Sequence, residues 1–200
     1  MAHVEWSVGK FFVVVIFESW GATVDEVAGA VVGDDLLPNA RVSATRCITI
    51  AAPSDVVFPW LRQMGFGRAG WYSYDWIDNL GRRSAREIKP EWQNVVSGDV
   101  IPGGLVGFKA VVVGPPRSLV LRVSGKGALA KRVGFTLAYE LRDCAEGTRL
   151  VTRMRGRLDF PGGKLIERFF LVPGDGIMLR RQLLNVAARC DTPGVERSHG

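Results

Sequence analysis

Hydrophobic and polar positions alternate most regularly over 132–142, where Val133, Phe135, Leu137, Tyr139 and Leu141 fall on one side and Arg132, Thr136, Glu140 and Arg142 on the other. A period of two is that of a strand with one buried and one wet face. Similar extended runs cover 41–50, 105–113, 118–123 and 148–158, and turn-forming residues at 97–99, 102–104 and 143–147 separate several of them. An antiparallel meander is expected.

Elsewhere the period lengthens to that of a helix. Val24, Val27, Ala28 and Val31 predict a short amphipathic helix within 20–31, capped by Thr23. Pro53-Ser54-Asp55 opens a second over about 56–64, with Pro59 within its first turn or so. Residues 164–189 read as a long helix, interrupted at Pro173-Gly174-Asp175-Gly176, whose second half carries Leu179, Leu183, Val186 and Cys190 as one apolar stripe. The aromatic run from Trp71 to Leu80 reads as a small helical insertion before the meander. This order predicts an α+β fold in which a curved antiparallel sheet wraps around the C-terminal helix. Residues 1–19 are expected to form an apolar arm, 20–190 a single domain and 191–200 a loose tail.

With 24 glycines and 10 prolines, the composition suits many short strands and turns better than a helical bundle. The two histidines, His3 and His199, lie close to the termini, which removes the imidazole that a Ser-His-Asp site or most zinc hydrolases need. Cys47, Cys144 and Cys190 are far apart and read as buried thiols. No glycine-rich loop leads from a strand into a helix, so neither a nucleotide cofactor nor any other is expected.

A net charge of +6 permits attraction to anionic partners. Arg149, Arg153, Arg155 and Arg157, however, alternate with Leu150, Met154 and Leu158, which reads as the solvated face of a strand, and no nucleic-acid partner is expected. The apolar stretch from Phe11 to Phe17 is far short of the roughly 20 residues that cross a bilayer. Cytoplasmic residence is the expectation, with membrane contact or partner docking by the arm as a lesser alternative.

The chain resembles the SRPBCC or START-like superfamily, which has the helix-grip fold, and within it an actinobacterial subgroup labelled polyketide cyclase- or dehydrase-like. The residues that carry the resemblance are Trp20-Gly21-Ala22-Thr23 with Glu26, Gly33-Asp34-Asp35-Leu36, Ala44-Thr45-Arg46, Ala52-Pro53, Gln63-Met64-Gly65, Gly70 through Trp76, Pro90-Glu91-Trp92-Gln93 and Pro173-Gly174-Asp175. Where the subgroup usually carries a glutamate, this chain has Asp78. The resemblance implies a cavity between sheet and long helix that takes a small hydrophobic ligand.

The candidate lining is Trp71, Tyr72, Trp76, Trp92, Gln93, Phe108, Phe135, Met154 and Met178, because aromatic walls with a few polar tips suit an amphipathic molecule. Asp75 and Asp78, three apart, would share one helix face and could act with Tyr74 as acid and base in a cofactor-free cyclase, dehydratase or hydrolase. The competing reading has Asp75 bonding nearby backbone and Asp78 pairing with Arg68, Arg82 or Arg83. No residue set points to a metal.

Overall fold

A computed structural model describes residues 17–104, 106–125 and 132–191. Most of the expected arm, Leu105, the tail from residue 192 and both histidines lie outside these residues. Six strands, β1 (Val42–Ile50), β2 (Val100–Pro102), β3 (Gly107–Gly114), β4 (Ser118–Ser124), β5 (Val133–Cys144) and β6 (Gly147–Leu158), form one curved antiparallel sheet. Its order is β1-β6-β5-β4-β3-β2, so the meander β2 to β6 runs in sequence and β1 closes its far side.

The register aligns the apolar side chains. Leu137 on β5 pairs with Leu121 on β4 and Met154 on β6, and Met154 pairs in turn with Ala44 on β1. All four belong to the main core. Onto this face the C-terminal helix α5 (Val172–Cys190) lays Leu179, Leu183 and Val186, and α2 (Ser54–Arg62) adds Val57, Phe58, Trp60 and Leu61. This sheet gripping a long C-terminal helix is the helix-grip arrangement expected from the sequence.

The opposite face of the sheet is not the wet one that the alternation predicts. Cys47, Val120, Ala138 and Val151 form a second, smaller core there with Val31 from the segment before β1. Arg153 is almost wholly buried in that layer. Its guanidinium donates to the carbonyls of Glu26, Val27 and Gly29, to Asp34 Oδ2 at 2.7 Å and to Thr45 Oγ1 at 2.9 Å. Arg149 binds Glu26 and the Gly21 carbonyl, and Arg155 reaches the Leu37 carbonyl. These arginines fasten the N-terminal segment to the sheet. A strand period reports which face a side chain is on, not what covers that face.

The helices differ from expectation at three points. The first, α1 (Val24–Ala28), opens with a Thr23–Glu26 capping box but spans five residues, ending at an extended Gly29 where Arg153 takes the Glu26 and Val27 carbonyls. In α2 the helix begins at Ser54, which puts Pro59 in the interior and not in the first turn. The long C-terminal helix does not break at Pro173. Instead α4 (Gly163–Ile166) passes through a π-helical stretch, Glu167–Leu171, directly into α5. Pro173 then falls at the start of α5, and the wider turn before it accommodates a residue that cannot donate back along the helix.

Candidate functional site

Three of the predicted lining residues meet on the inner face of the sheet. Phe108 on β3 lies 5.3 Å from Trp71 between ring centroids and 6.1 Å from Phe135 on β5, in edge-on and tilted contacts. Two residues further along their strands, Ala110 and Leu137 are buried, whereas Phe108 and Phe135 are only partly covered. The inner face thus ends in a strip of aromatic surface that core packing leaves incompletely covered. Beyond Phe135 its partner on β6 is Gly156, where a side chain would meet Leu171 at 2.9 Å and Val42 at 3.0 Å. Glycine therefore lets the π-helical stretch approach β6 beside this strip.

Polar residues of α5 hold the insertion against the sheet. Gln182 accepts from Tyr139 Oη at 2.7 Å and donates to the Trp71 carbonyl at 2.8 Å, which links β5, α5 and the base of the aromatic strip. Asn185 donates to the Tyr72 carbonyl and Arg189 to that of Ala85, with the Arg189 guanidinium 4.5 Å above the Tyr72 ring. Sequence reasoning gave no site role to Tyr139, Gln182 or Arg46 and read Arg153 as solvent-facing. Gln182 lies three residues from Leu179 on the inward side of the helix, and a polar residue at such a position is the signal that could have found it.

The remaining lining candidates lie elsewhere. Tyr72 is fully buried with φ +57°, and its hydroxyl accepts from Gln63 Nε2 at 2.7 Å, so it is a structural residue. Gln93 donates to the Pro59 carbonyl and to Gln63, which commits its amide to the scaffold. Trp76 is 73% exposed, and Met154 is wholly within the core. Trp92 is partly buried against the main core, and Met178 is partly buried on α5.

The acid–base candidates are not a pair. Asp75 Oδ1 accepts from Ser84 Oγ at 2.5 Å and its Oδ2 from Ser84 N at 3.1 Å, which closes the loop after α3 (Asp75–Asp78). Asp78 has both carboxylate oxygens shielded from solvent, with no side-chain partner among the described residues. Burial, reinforced by the Asp75 charge, pushes its pKa up to about 6, against a smaller pull from the backbone amides of Asp78 and Tyr74. Asp75 does bond nearby backbone, at Ser84 N, but Asp78 does not pair with Arg68, Arg82 or Arg83; Arg68 instead donates to the Arg62 and Trp92 carbonyls.

Tyr74 lines a cavity of about 280 Å³ with Phe17, Gly176, Ile177, Arg180, Arg181 and Leu184. That cavity lies on the outer side of α5, because Leu179, Leu183 and Val186 take the sheet side. Among the described residues, no three His, Cys, Asp or Glu side chains gather to hold a metal ion, and no helix is long and apolar enough to cross a membrane.

Fold and site together define a helix-grip α+β protein with an aromatic strip on the inner face of its sheet. No protein-family model matches the chain, and no curated protein does. Among solved structures it is similar to protein MLL2253 from Mesorhizobium loti, with 15% identity and a TM-score of 0.47 over 77% of this chain and 100% of that one. The polyketide-cyclase-like protein Cgl2372 from Corynebacterium glutamicum is 17% identical, with a TM-score of 0.33 over 74% of this chain and 86% of that one. The di-domain ARO/CYC BexL from the BE-7585A biosynthetic pathway is 14% identical, with a TM-score of 0.43, and 80% of this chain covers 54% of it.

Proposed function

We propose that the protein binds or carries a small amphipathic molecule, a lipid, polyketide or aromatic metabolite, between sheet and C-terminal helix. The observation that carries this reading is the pair of incompletely covered rings of Phe108 and Phe135, backed by the buried Trp71, on the face that otherwise packs against α5. Rings left open beside a packed core offer an apolar ligand flat surface without reorganisation of the fold. Burying about 300 Å² of such a ligand supplies about 7 kcal/mol of gross driving force, from which the cost of association is subtracted. The resemblance to polyketide cyclase-like sequences supports the same ligand class.

Titration with cis-parinaric acid tests the proposal. Saturable one-to-one binding with quenching of tryptophan fluorescence is expected, weakened about ten-fold by Phe108→Ala or Phe135→Ala as each removes stacking area. Absence of saturation, or an affinity unchanged from the parent in both variants, would contradict it.

A second reading rests on Asp78, whose shielded carboxylate is the group best suited to proton transfer in a cofactor-free enzyme. Asp75 would then position the loop and not share the chemistry, since Ser84 engages both its oxygens. Turnover of a reactive polyketide that survives Asp78→Asn unchanged would remove this reading.

A further inference from the structure

The helical stretch between β6 and α5 presents an unusual surface. Leu165 is 62% exposed, Phe169 60% and Phe170 72%, with Ile166 beside them. Lys164 and Arg168, four apart, are exposed on the same stretch. Its single acid, Glu167, is turned inward. Arg41 grips that carboxylate through Nε at 3.1 Å and Nη2 at 2.6 Å, and the Leu158 amide donates to it at 2.5 Å. Burial opposes ionisation of Glu167, but these donors hold its carboxyl below the usual range. The charge of Arg168 is felt by Glu18, itself only partly exposed.

The outward face of residues 164–170 therefore consists of four large apolar side chains and two cations, with no exposed acid, amide or hydroxyl from the stretch. We infer that this face docks the protein onto a bilayer bearing anionic headgroups. Apolar side chains enter the headgroup–acyl boundary while the interleaved cations stay at headgroup level. Charge complementarity selects this occupant. Two exposed cations among four apolar side chains, with the one acid of the stretch buried against Arg41, match a fluid anionic surface, which needs only apolar insertion and positive charge. The inference goes beyond the ligand-binding proposal and does not depend on it. Leu171, the next residue, lies against Gly156, the β6 partner of Phe135, so the docked face adjoins the end of the sheet that carries the aromatic strip.

The test is sedimentation of the full chain with phosphatidylcholine vesicles and with phosphatidylcholine–phosphatidylglycerol vesicles, at low and high salt. Binding to the anionic vesicles that weakens with salt is expected. Phe169→Ser with Phe170→Ser should lower the partition coefficient at least about ten-fold. Lys164→Gln and Arg168→Gln should each lower it about five-fold on anionic vesicles alone. Since these side chains are exposed, the variants should keep the parent circular dichroism and unfolding midpoint, and Leu165→Ser gives an independent reading of the same loss.

Three results would overturn the inference. One is absence of vesicle binding. Another is binding that the phenylalanine and Leu165→Ser variants leave intact, which would place the contact elsewhere on the chain. The third is a dimer in solution that dissociates in the phenylalanine variant, which would make the occupant a second copy.

Discussion

Arg46 Nη1 lies 2.6 Å from Asp175 Oδ2, joining the middle of β1 to the first turn of α5 across the interior. The guanidinium is fully buried and also donates from Nε to the Phe17 carbonyl at 2.7 Å. One residue on from Asp175, a side chain at Gly176 would meet Phe17 at 3.0 Å, so the three elements converge closely.

Arg46→Met leaves the Asp175 carboxylate buried without its partner and should cost about 3–5 kcal/mol. Adding Asp175→Leu should recover part of that loss, because it removes the stranded charge. Urea unfolding of both variants measures the difference.

Arg153 does for the outer face what Arg46 does for the inner one. Replacing it by Met strands the carbonyls of Glu26, Val27 and Gly29, while Asp34 keeps the Val31 amide and Arg155, at a cost of about 3 kcal/mol. The loss should be local. Hydrogen exchange should rise in residues 22–37 well before it rises in β5 and β6.

Asp78 predicts a pH dependence of definite sign. Its folded pKa of about 6 lies above the ordinary aspartate value of 3.8, so the folded state holds the proton more tightly than the unfolded chain. Stability therefore falls as pH rises from about 4 to about 6 and levels off above that. Asp78→Asn should remove this decline and stabilise the protein at neutral pH by on the order of 1 kcal/mol after allowance for solvent screening. The same variant should abolish a carboxyl titration near 6 followed by NMR.

The Cys47 thiol is buried between the N-terminal segment and the sheet, and burial pushes its pKa up to about 12. At pH 8 its thiolate fraction is about a thousand-fold below that of an ordinary exposed thiol, so native alkylation should spare it. Denaturation should expose it.

The architecture was legible because β5 and the second half of α5 carry unambiguous periods, and because turn residues mark the hairpin between β5 and β6. Proline position was less so. Pro173 reads as a breaker, yet a wide turn one step earlier absorbs it, and that depends on how β6 and Leu171 pack through Gly156. The arginines of β6 misled for a related reason. A long basic side chain on an outward strand face is the same in sequence whether it meets water or a row of carbonyls.

The site was legible in part. Phe108 and Phe135 are distant in sequence but lie on the inner face of their strands, and Trp71, from the loop before α3, packs against Phe108. Aromatic density alone could not separate Trp71, on that face, from Tyr72, locked into the scaffold by Gln63, or Trp76, turned to solvent. Those three differ in backbone direction over the loop into α3 and its single turn, too short for a periodic signal. Nor could a spacing of three reveal that Ser84 would occupy Asp75 and leave Asp78 alone.

The proposal that the protein holds an amphipathic ligand is tested most directly by native mass spectrometry of the purified chain, with denaturing identification of whatever is released. The expected result is a discrete mass increment from an apolar molecule, reduced or lost in Phe108→Ala and Phe135→Ala. A bare chain mass in every preparation, with no adduct after incubation with cis-parinaric acid, would contradict it.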